Sequence, residues 1–520
     1  MHPHNALALK DWYTTARQIG NYAEMVDTLC VVLESNGDND LAYYYLGLCM
    51  ARLGQYTAAL ECIDKAIFLN PASSQYFFDR GNVLIELGEP LKAREAFDLA
   101  LSLDSNYADA YSSRGIVLAG LGEVDAAIQN FNRSISLKPE SAATYLNRGN
   151  AYQDKGQFIE AIESYDHAIR LQPHYPMAFL NRGVALKQLH RLEESLANTQ
   201  EALAQDPNYV DAHWNTSLTL LLAGDLGRGF QGYDKRWQTE AFKPFRRHFS
   251  EPIWLGNESL SGKRLFVHNE QGFGDSLQFC RFVTLAALAG AQVIYEVEEP
   301  LYDLMQSLAG VHTLIRQRDS IPPFDFYCPV MSLPAAFKTT LETVPAMVPY
   351  LFGSADRGRH WDRVLGERVR PRIGIVWSGS PHHKADHQRS IALGELMQSL
   401  PVDYEYVSLQ KEIRAQDSTA LAEHPHLRHF GNQIDNFLDT AALCEQMDLV
   451  IAVDTSVAHL AGALGVDTYL LLPHLPDWRW LLGRDDSPWY PTMQLFRQET
   501  AGDWAPVLKR VSDQISKLPV

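Results

Sequence analysis

"YLNRGNAYQDKGQFIEAIESYDHAIRLQP", residues 145–173, decides the reading of the first half of the chain. Gly149 belongs to a series with Gly47, Gly81, Gly115 and Gly183, each 34 residues from the next. Gly156 belongs to a second series of the same period, with Gly54, Gly88, Gly122 and Gly224, interrupted where His190 stands. Pro139, Pro173 and Pro207 close successive units, Pro71 sits in "FLNP", and Ala59, Ala93, Ala127 and Ala161 recur in the second half of each unit. A fixed period of this length marks a stacked array in which each unit buries one face on its neighbour. Each unit reads as helix, short turn, helix. The first glycine is expected where two helices cross too closely for a side chain. The second is expected at the helix end, in a left-handed conformation.

Outward from that unit, 520 residues exceed what one compact core accommodates, so two or three domains are expected. Hydrophobic residues make up 46% and charged residues 21%, which is globular rather than disordered composition. A net charge of -18 argues against a broad surface for nucleic acid or anionic membrane. Six scattered cysteines with no CxxC pair point to reduced thiols rather than disulfides or zinc. "MHPHNALALK" lacks a signal-peptide plan, and no apolar run is long enough for a bilayer, so a cytoplasmic protein is expected.

The period, the small residues and the closing prolines resemble the tetratricopeptide repeat, in about six to seven units over residues 1–243. Two ladders share the period: Asn147, Asn181 and Asn215, and Arg80, Arg114, Arg148 and Arg182. For the arginines, hydrogen bonding between helices is the favoured reading. The asparagine ladder is similar to that in the superhelix of the O-linked N-acetylglucosamine transferase, which implies amide donors gripping a peptide in the groove.

After 244–261, read as a linker, the period changes. "RLFVH" (264–268), "AQVIYEV" (291–297), "RIGIVW" (372–377), "YEYVSL" (404–409), "DLVIAV" (448–453) and "DTYLLLP" (467–473) are short apolar runs between helical stretches. That alternation predicts parallel sheets, in one lobe over 262–352 and another over 371–520, with ligands at the carboxyl ends of the strands. The Pro-rich segment 321–349 and the polar stretch 353–371 are read as the separation between them.

Three strand ends carry candidate chemistry. In "EQGFGDSLQF" Gly272 and Gly274 permit close approach, and Asp275 opens a helix. A helix cap is the favoured reading of Asp275 on spacing alone. The segment is not a dinucleotide fingerprint, because the third glycine is missing and no suitable acid is expected after the next strand. In "WSGSPHHKADHQRSIAL" Ser378 and Gly379 with Lys384 and Arg389 suggest a phosphate cradle. His383 and His387 have metal-ligand spacing, but the loop setting and lack of a third ligand argue against a metal. In "VIAVDTSVAHLAGALG" Asp454, Thr455 and Ser456 start a helix suited to a diphosphate, with His459 one turn inside.

"VDTSVAHLAGALG" and "QGFGDSLQF" resemble two motifs of glycosyltransferase family 9, the lipopolysaccharide heptosyltransferases, over roughly residues 262–500. The resemblance implies a GT-B fold and a nucleotide-diphospho-sugar co-substrate, with no other cofactor. It implies Asp275 as general base, Asp454, Thr455, Ser456 and His459 on the donor, and Lys384 or Arg389 near the donor phosphates. It also implies that the final amphipathic helix, "DWAPVLKRVSDQISKL", crosses back to the first lobe. Thr455-Ser456 replaces the family's Ser-Gly, and the repeat array is foreign to it. An array followed by GT-B halves is instead the plan of the O-linked N-acetylglucosamine transferase. Trp478, Trp480 and Trp489 are read as packing anchors.

The expected fold is thus an α-helical tetratricopeptide solenoid followed by an α/β GT-B domain of two Rossmann-like lobes. The expected function is inverting, metal-independent glycosyl transfer to a peptide or protein acceptor. The rival is an inactive scaffold that binds a partner protein, with or without sugar nucleotide.

Overall fold

The structure, a computed structural model, describes residues 6–518. The opening of "MHPHNALALK" and the last two residues of the second lobe lie outside them. The chain divides into two compact units, 1–207 and 208–520. The division falls earlier than residue 243, because the final helical pair packs into the second unit.

The first unit is a run of antiparallel helix pairs. Ala6–Ile19 and Tyr22–Ser35 come first, then Asp40–Arg52 with Tyr56–Leu69 and Ser74–Glu86 with Pro90–Leu103. Ala108–Gly120 pairs with Val124–Leu137, Ala142–Asp154 with Phe158–Leu171, and Pro176–Gln188 with Leu192–Gln205. The first glycine series sits where the paired helices touch. A Cβ on Gly81, Gly115 or Gly149 would lie 2.5, 2.6 or 2.4 Å from the ring of Phe97, Phe131 or Tyr165. Ala59, Ala93, Ala127 and Ala161 are fully buried at the same crossings. In the second series Gly88 has φ +73°, and His190 in its place takes φ +59°, so the turn imposes the left-handed geometry whichever residue stands there.

The arginine ladder is internal bracing. Arg114 donates to Asn130 on its own pair's second helix (2.8 Å) and to Asp98 on the preceding pair (2.6 Å). Arg148 bridges Ser164 (3.2 Å) and Asn132 (2.9 Å) in the same way, and Arg182 bridges Asn198 and Asp166. These three guanidinium groups tie consecutive second helices together, and Arg80 bonds Asp64 on the preceding pair (2.7 Å).

The second unit opens with the pair Val210–Leu222 and Leu226–Tyr233 and continues into two wholly parallel sheets. The first contains β1 (Arg264–His268), β2 (Gln292–Val297), β3 (Val311–Arg316) and β4 (Phe326–Pro329), in the order β3-β2-β1-β4. The second contains β5 (Arg372–Val376), β6 (Glu405–Ser408), β7 (Leu427–His429), β8 (Leu449–Val453), β9 (Thr468–Leu472) and β10 (Met493–Arg497). Its order is β10-β9-β8-β5-β6-β7. Near-continuous apolar runs form β1, β5, β8 and β9 because these strands are buried on both faces; on the first sheet one face is covered by Phe249, Ile321 and Phe324 from non-helical segments.

Several expectations are corrected here. Pro-rich 321–349 is no divider, since it supplies β4 beside β1. The 244–261 segment is packed on the first lobe: Trp254 is buried, and its backbone N–H donates to Tyr327 O (2.8 Å). The helix Ala355–Leu365, in the supposed divider 353–371, docks on the second lobe through buried Trp361, whose indole donates to Asp439 O (3.1 Å). The final helix, Ala505–Ile515, buries Val507, Leu508, Val511 and Ile515 in the core of the second lobe instead of crossing back.

Candidate functional site

Strand order fixes where a site can form. β1 lies between β2 and β4, and β5 and β8 are central neighbours. The loops after β1, β5 and β8 therefore leave each sheet at the point where strand order reverses, where open α/β sheets hold ligands. These are the three strand ends singled out from the sequence.

The corner after β1 is braced from below. Glu270, buried, forms a two-pronged pair with fully buried Arg236, Oε2 to Nε at 2.9 Å and Oε1 to Nη2 at 2.7 Å. Arg236 follows the last helical pair and also bonds Asp234 and Ser332. Gln271 then takes φ +60°, a costly conformation for a residue with a side chain, held by the packed elements around it. The helix Phe273–Phe279 starts at once, with Gly272 as N-cap.

Asp275 does cap that helix: its Oδ2 accepts the Gly272 N–H at 2.9 Å. Its Oδ1 pairs with Arg479 of the second lobe, a residue the sequence reading left without a role. Arg479 is buried, donates to Gln278 Oε1 (2.7 Å) and Asp477 Oδ1 (2.8 Å), and lies over the Trp478 ring at 4.5 Å. Burial pushes the Asp275 carboxyl above its usual range, and the Arg479 charge pulls it back.

Gly274 does not open onto a donor. A Cβ there would lie 2.9 Å from His459 Cδ2, so the glycine lets the first-lobe helix meet the second-lobe helix Ser456–Leu464. Arg281 ties the lobes a second time, donating to Trp489 O (2.7 Å) and Tyr350 OH (2.7 Å) between the Tyr350 and Tyr490 rings.

After β8, Thr455 occupies the N-cap position, yet no side chain caps the helix Ser456–Leu464. The Thr455 hydroxyl is buried without a partner. Burial pushes the Asp454 carboxyl up to about 6, with Asp477 adding to the effect. The fully buried Trp480 lies beside Asp454, its indole N–H short of a hydrogen bond, and stacks on His459 at 5.2 Å. His459 is held by Tyr490 OH (3.0 Å), and burial, reinforced by Arg479, Arg281 and Arg389, lowers its pKa well below the usual value. Trp478, Trp480 and Trp489 are all buried packing residues.

After β5 the expected cradle is differently built. The Ser378 N–H goes to Gln410 Oε1 (3.0 Å) and the Gly379 N–H to Ser390 Oγ (3.2 Å), so those amides are already used. Gly379 is small because the Arg389 guanidinium packs on it, 2.5 Å from where a Cβ would be. Arg389 reaches the site and donates to Asp454 O at 2.7 Å. Lys384 is exposed and makes no ion pair or hydrogen bond among the described residues. His383 and His387 join no group of three metal-binding side chains among the described residues. The acid that follows β2, buried Glu298, accepts the Ser276 hydroxyl at 2.9 Å.

The asparagine ladder is partly used by the array. Asn181 donates to Asn150 Oδ1 (2.8 Å), and Asn215, in the second unit, donates to Asp211 O (2.9 Å). Asn147 is half-buried and shows no such side-chain bond among the described residues.

Comparison with known proteins agrees with the helical half. Residues 40–73 and 74–107 match models of the tetratricopeptide repeat, and 117–156 and 149–190 match a TPR repeat model. Protein FlbA of Caulobacter vibrioides is 27% identical over 324 residues, 56% of this chain and 53% of that protein. The chain thus spans about half the length of the curated relative it matches. Among solved structures, MamA is 25% identical with a TM-score of 0.30, over 31% of this chain and 95% of its own. PilF of Pseudomonas aeruginosa is 18% identical with a TM-score of 0.36, over 40% of this chain and 96% of its own. The first half of this chain is built of tetratricopeptide repeats, and a parallel-sheet α/β domain follows them. Among the described residues no helix is long and apolar enough to cross a membrane.

Proposed function

We propose that the second unit is an inverting, metal-independent GT-B glycosyltransferase related in plan to glycosyltransferase family 9 and to the O-linked N-acetylglucosamine transferase. The observation that carries this reading is the meeting of two distant motifs from opposite lobes, with Gly274 set against Ser456 and His459 while the neighbouring Asp275 pairs with Arg479 of the second lobe. The uncapped first turn of Ser456–Leu464, the Thr455 hydroxyl and Arg389 supply donors for the diphosphate of a nucleotide sugar. Asp275 takes the proton of an acceptor hydroxyl. That oxygen bonds the anomeric carbon as the bond to the diphosphate breaks, and the electron pair leaves with the nucleotide. The carboxylate has lone pairs beyond the two already engaged, so it retains capacity for the proton. The repeats present a peptide or protein acceptor, with Asn147 the amide least committed to internal bonding.

A specific observation also favours a second reading, a repeat scaffold without turnover. Both Asp275 oxygens are engaged, and the amides of Ser378 and Gly379 are satisfied internally. A panel of UDP-, GDP-, ADP- and CMP-sugars separates the two. Transferase activity requires thermal stabilisation and donor turnover with one of them, and Asp275→Asn should keep the stabilisation while turnover falls about 100-fold or more. Absence of both with every donor leaves the scaffold reading.

A further inference from the structure

The base assigned above stands on one lobe, and the cation facing it stands on the other. Arg479 leaves the loop after β9 and is fixed on several sides at once: Asp477 on its own loop, Gln278 and Asp275 on the first-lobe helix, and the Trp478 and Phe279 rings. Three polar contacts and two ring faces leave the guanidinium little freedom, so the Asp275 carboxylate is oriented by two rigid donors, Arg479 and the Gly272 N–H.

We propose that Arg479 is the positioning residue of this site: it aims Asp275 and couples proton uptake there to the charge of the departing diphosphate. This rests on the transferase reading. In the resting site Arg479 is balanced by Asp275 and Asp477. When Asp275 accepts the acceptor hydroxyl proton it becomes neutral, and Arg479 loses one of its two counter-charges. The same step delivers the electron pair of the breaking anomeric bond to the diphosphate, beside Asp454 and Arg389. Positive charge is therefore released on the second lobe as negative charge develops there, without movement of the arginine. Among the described residues no other side chain forms an ion pair with Asp275. The titratable groups that face Asp275 include Glu298 after β2, Tyr233 at the end of the last helical pair and His383 after β5, and Asp454 and His459 at the late helix face Arg479.

The test follows the carboxyl itself in the full chain. Protein labelled with 13C at aspartate carboxyl carbons is titrated by NMR, the Asp275 signal being the one missing in Asp275→Asn. In Arg479→Gln the Asp275 midpoint should rise by at least about one pH unit, and Arg479→Lys should restore most of the difference. A midpoint unchanged in Arg479→Gln overturns the proposal, as does a rise that lysine fails to reduce. This readout needs no donor, so it stands apart from the nucleotide-sugar panel. With an active donor identified, Arg479→Gln should also move the acid limb of the kcat profile upward by the same amount. A uniform loss at all pH values would instead reduce Arg479 to a structural brace and sink the coupling. Should Arg479→Gln fail to fold, Asp477→Asn is the second variant. It leaves Arg479 with Asp275 as its one full counter-charge and should move the Asp275 midpoint downward, and no movement would refute the pairing.

Discussion

Glu270→Ala should be among the most damaging substitutions in the second unit, although the residue lies outside the reacting site. Arg236 is 0% exposed and Glu270 8%, with two short hydrogen bonds between them. Glu270 also accepts the Met331 N–H at 3.1 Å. Removing it strands a buried guanidinium with Asp234 and Ser332 and leaves a buried backbone donor without its acceptor. Breaking a buried pair from one side costs about 3–5 kcal/mol, and the surviving Asp234 contact keeps the cost within that range. For a unit of about 300 residues, at roughly 2.1 cal/mol/K per residue, this lowers Tm by about 5–8 °C. Scanning calorimetry of the full chain, with urea unfolding followed by tryptophan fluorescence, reads the change. Arg236→Met combined with Glu270→Gln should cost less than the two single changes added together, because no unpaired charge remains. A Tm within about 1 °C of the parent for Glu270→Ala, or strict additivity in the double variant, would refute the reasoning.

Three further outcomes are expected. Gly149→Ala places a Cβ 2.4 Å from the Tyr165 ring, so the first unit should lose about 1–3 kcal/mol in urea while the second is unchanged. Gly274→Ala pushes against His459, which Tyr490 and Trp480 hold in place, so a similar loss should appear in the second unit and Trp480 should report it by fluorescence. Burial lowers the pKa of His268 to about 4 in the folded chain, so below about 6.5 the unfolded chain binds the extra proton. That contribution is therefore present above 6.5 and lost as the pH falls toward 4, by about 2 kcal/mol between pH 7 and 5. His268→Phe, packed among Phe249, Phe266 and Tyr327, should flatten that part of the urea profile, and an unchanged acid slope would count against it.

The legible parts of the chain are those where local sequence alone dictates geometry. β1, β2, β5, β6, β8 and β9 were readable because strands buried on both faces must be continuously apolar. β3 is half-exposed at a sheet edge, β7 has three residues, and β4 ends in a proline, so none carries that signal. The motifs at Asp275 and Asp454 to His459 were readable as helix starts at strand ends. Their lining was not: Arg479 sits 204 residues from Asp275, among tryptophans that read as packing. Lys384 and Arg389 look alike in sequence, and only the Gly379 surface that receives one guanidinium separates them.

By itself, the sequence determined the period of the array, the glycines that let its helices touch and the two parallel lobes, because close packing and left-handed turns restrict which residues fit. The tertiary structure decided what those elements serve. It assigned the last helical pair to the α/β unit through Arg236 and Glu270, filled the space beside Gly274 with His459, and gave Asp275 an arginine from the opposite lobe. Charge pairing and burial depend on which surfaces meet in space, and spacing along the chain carries no record of that.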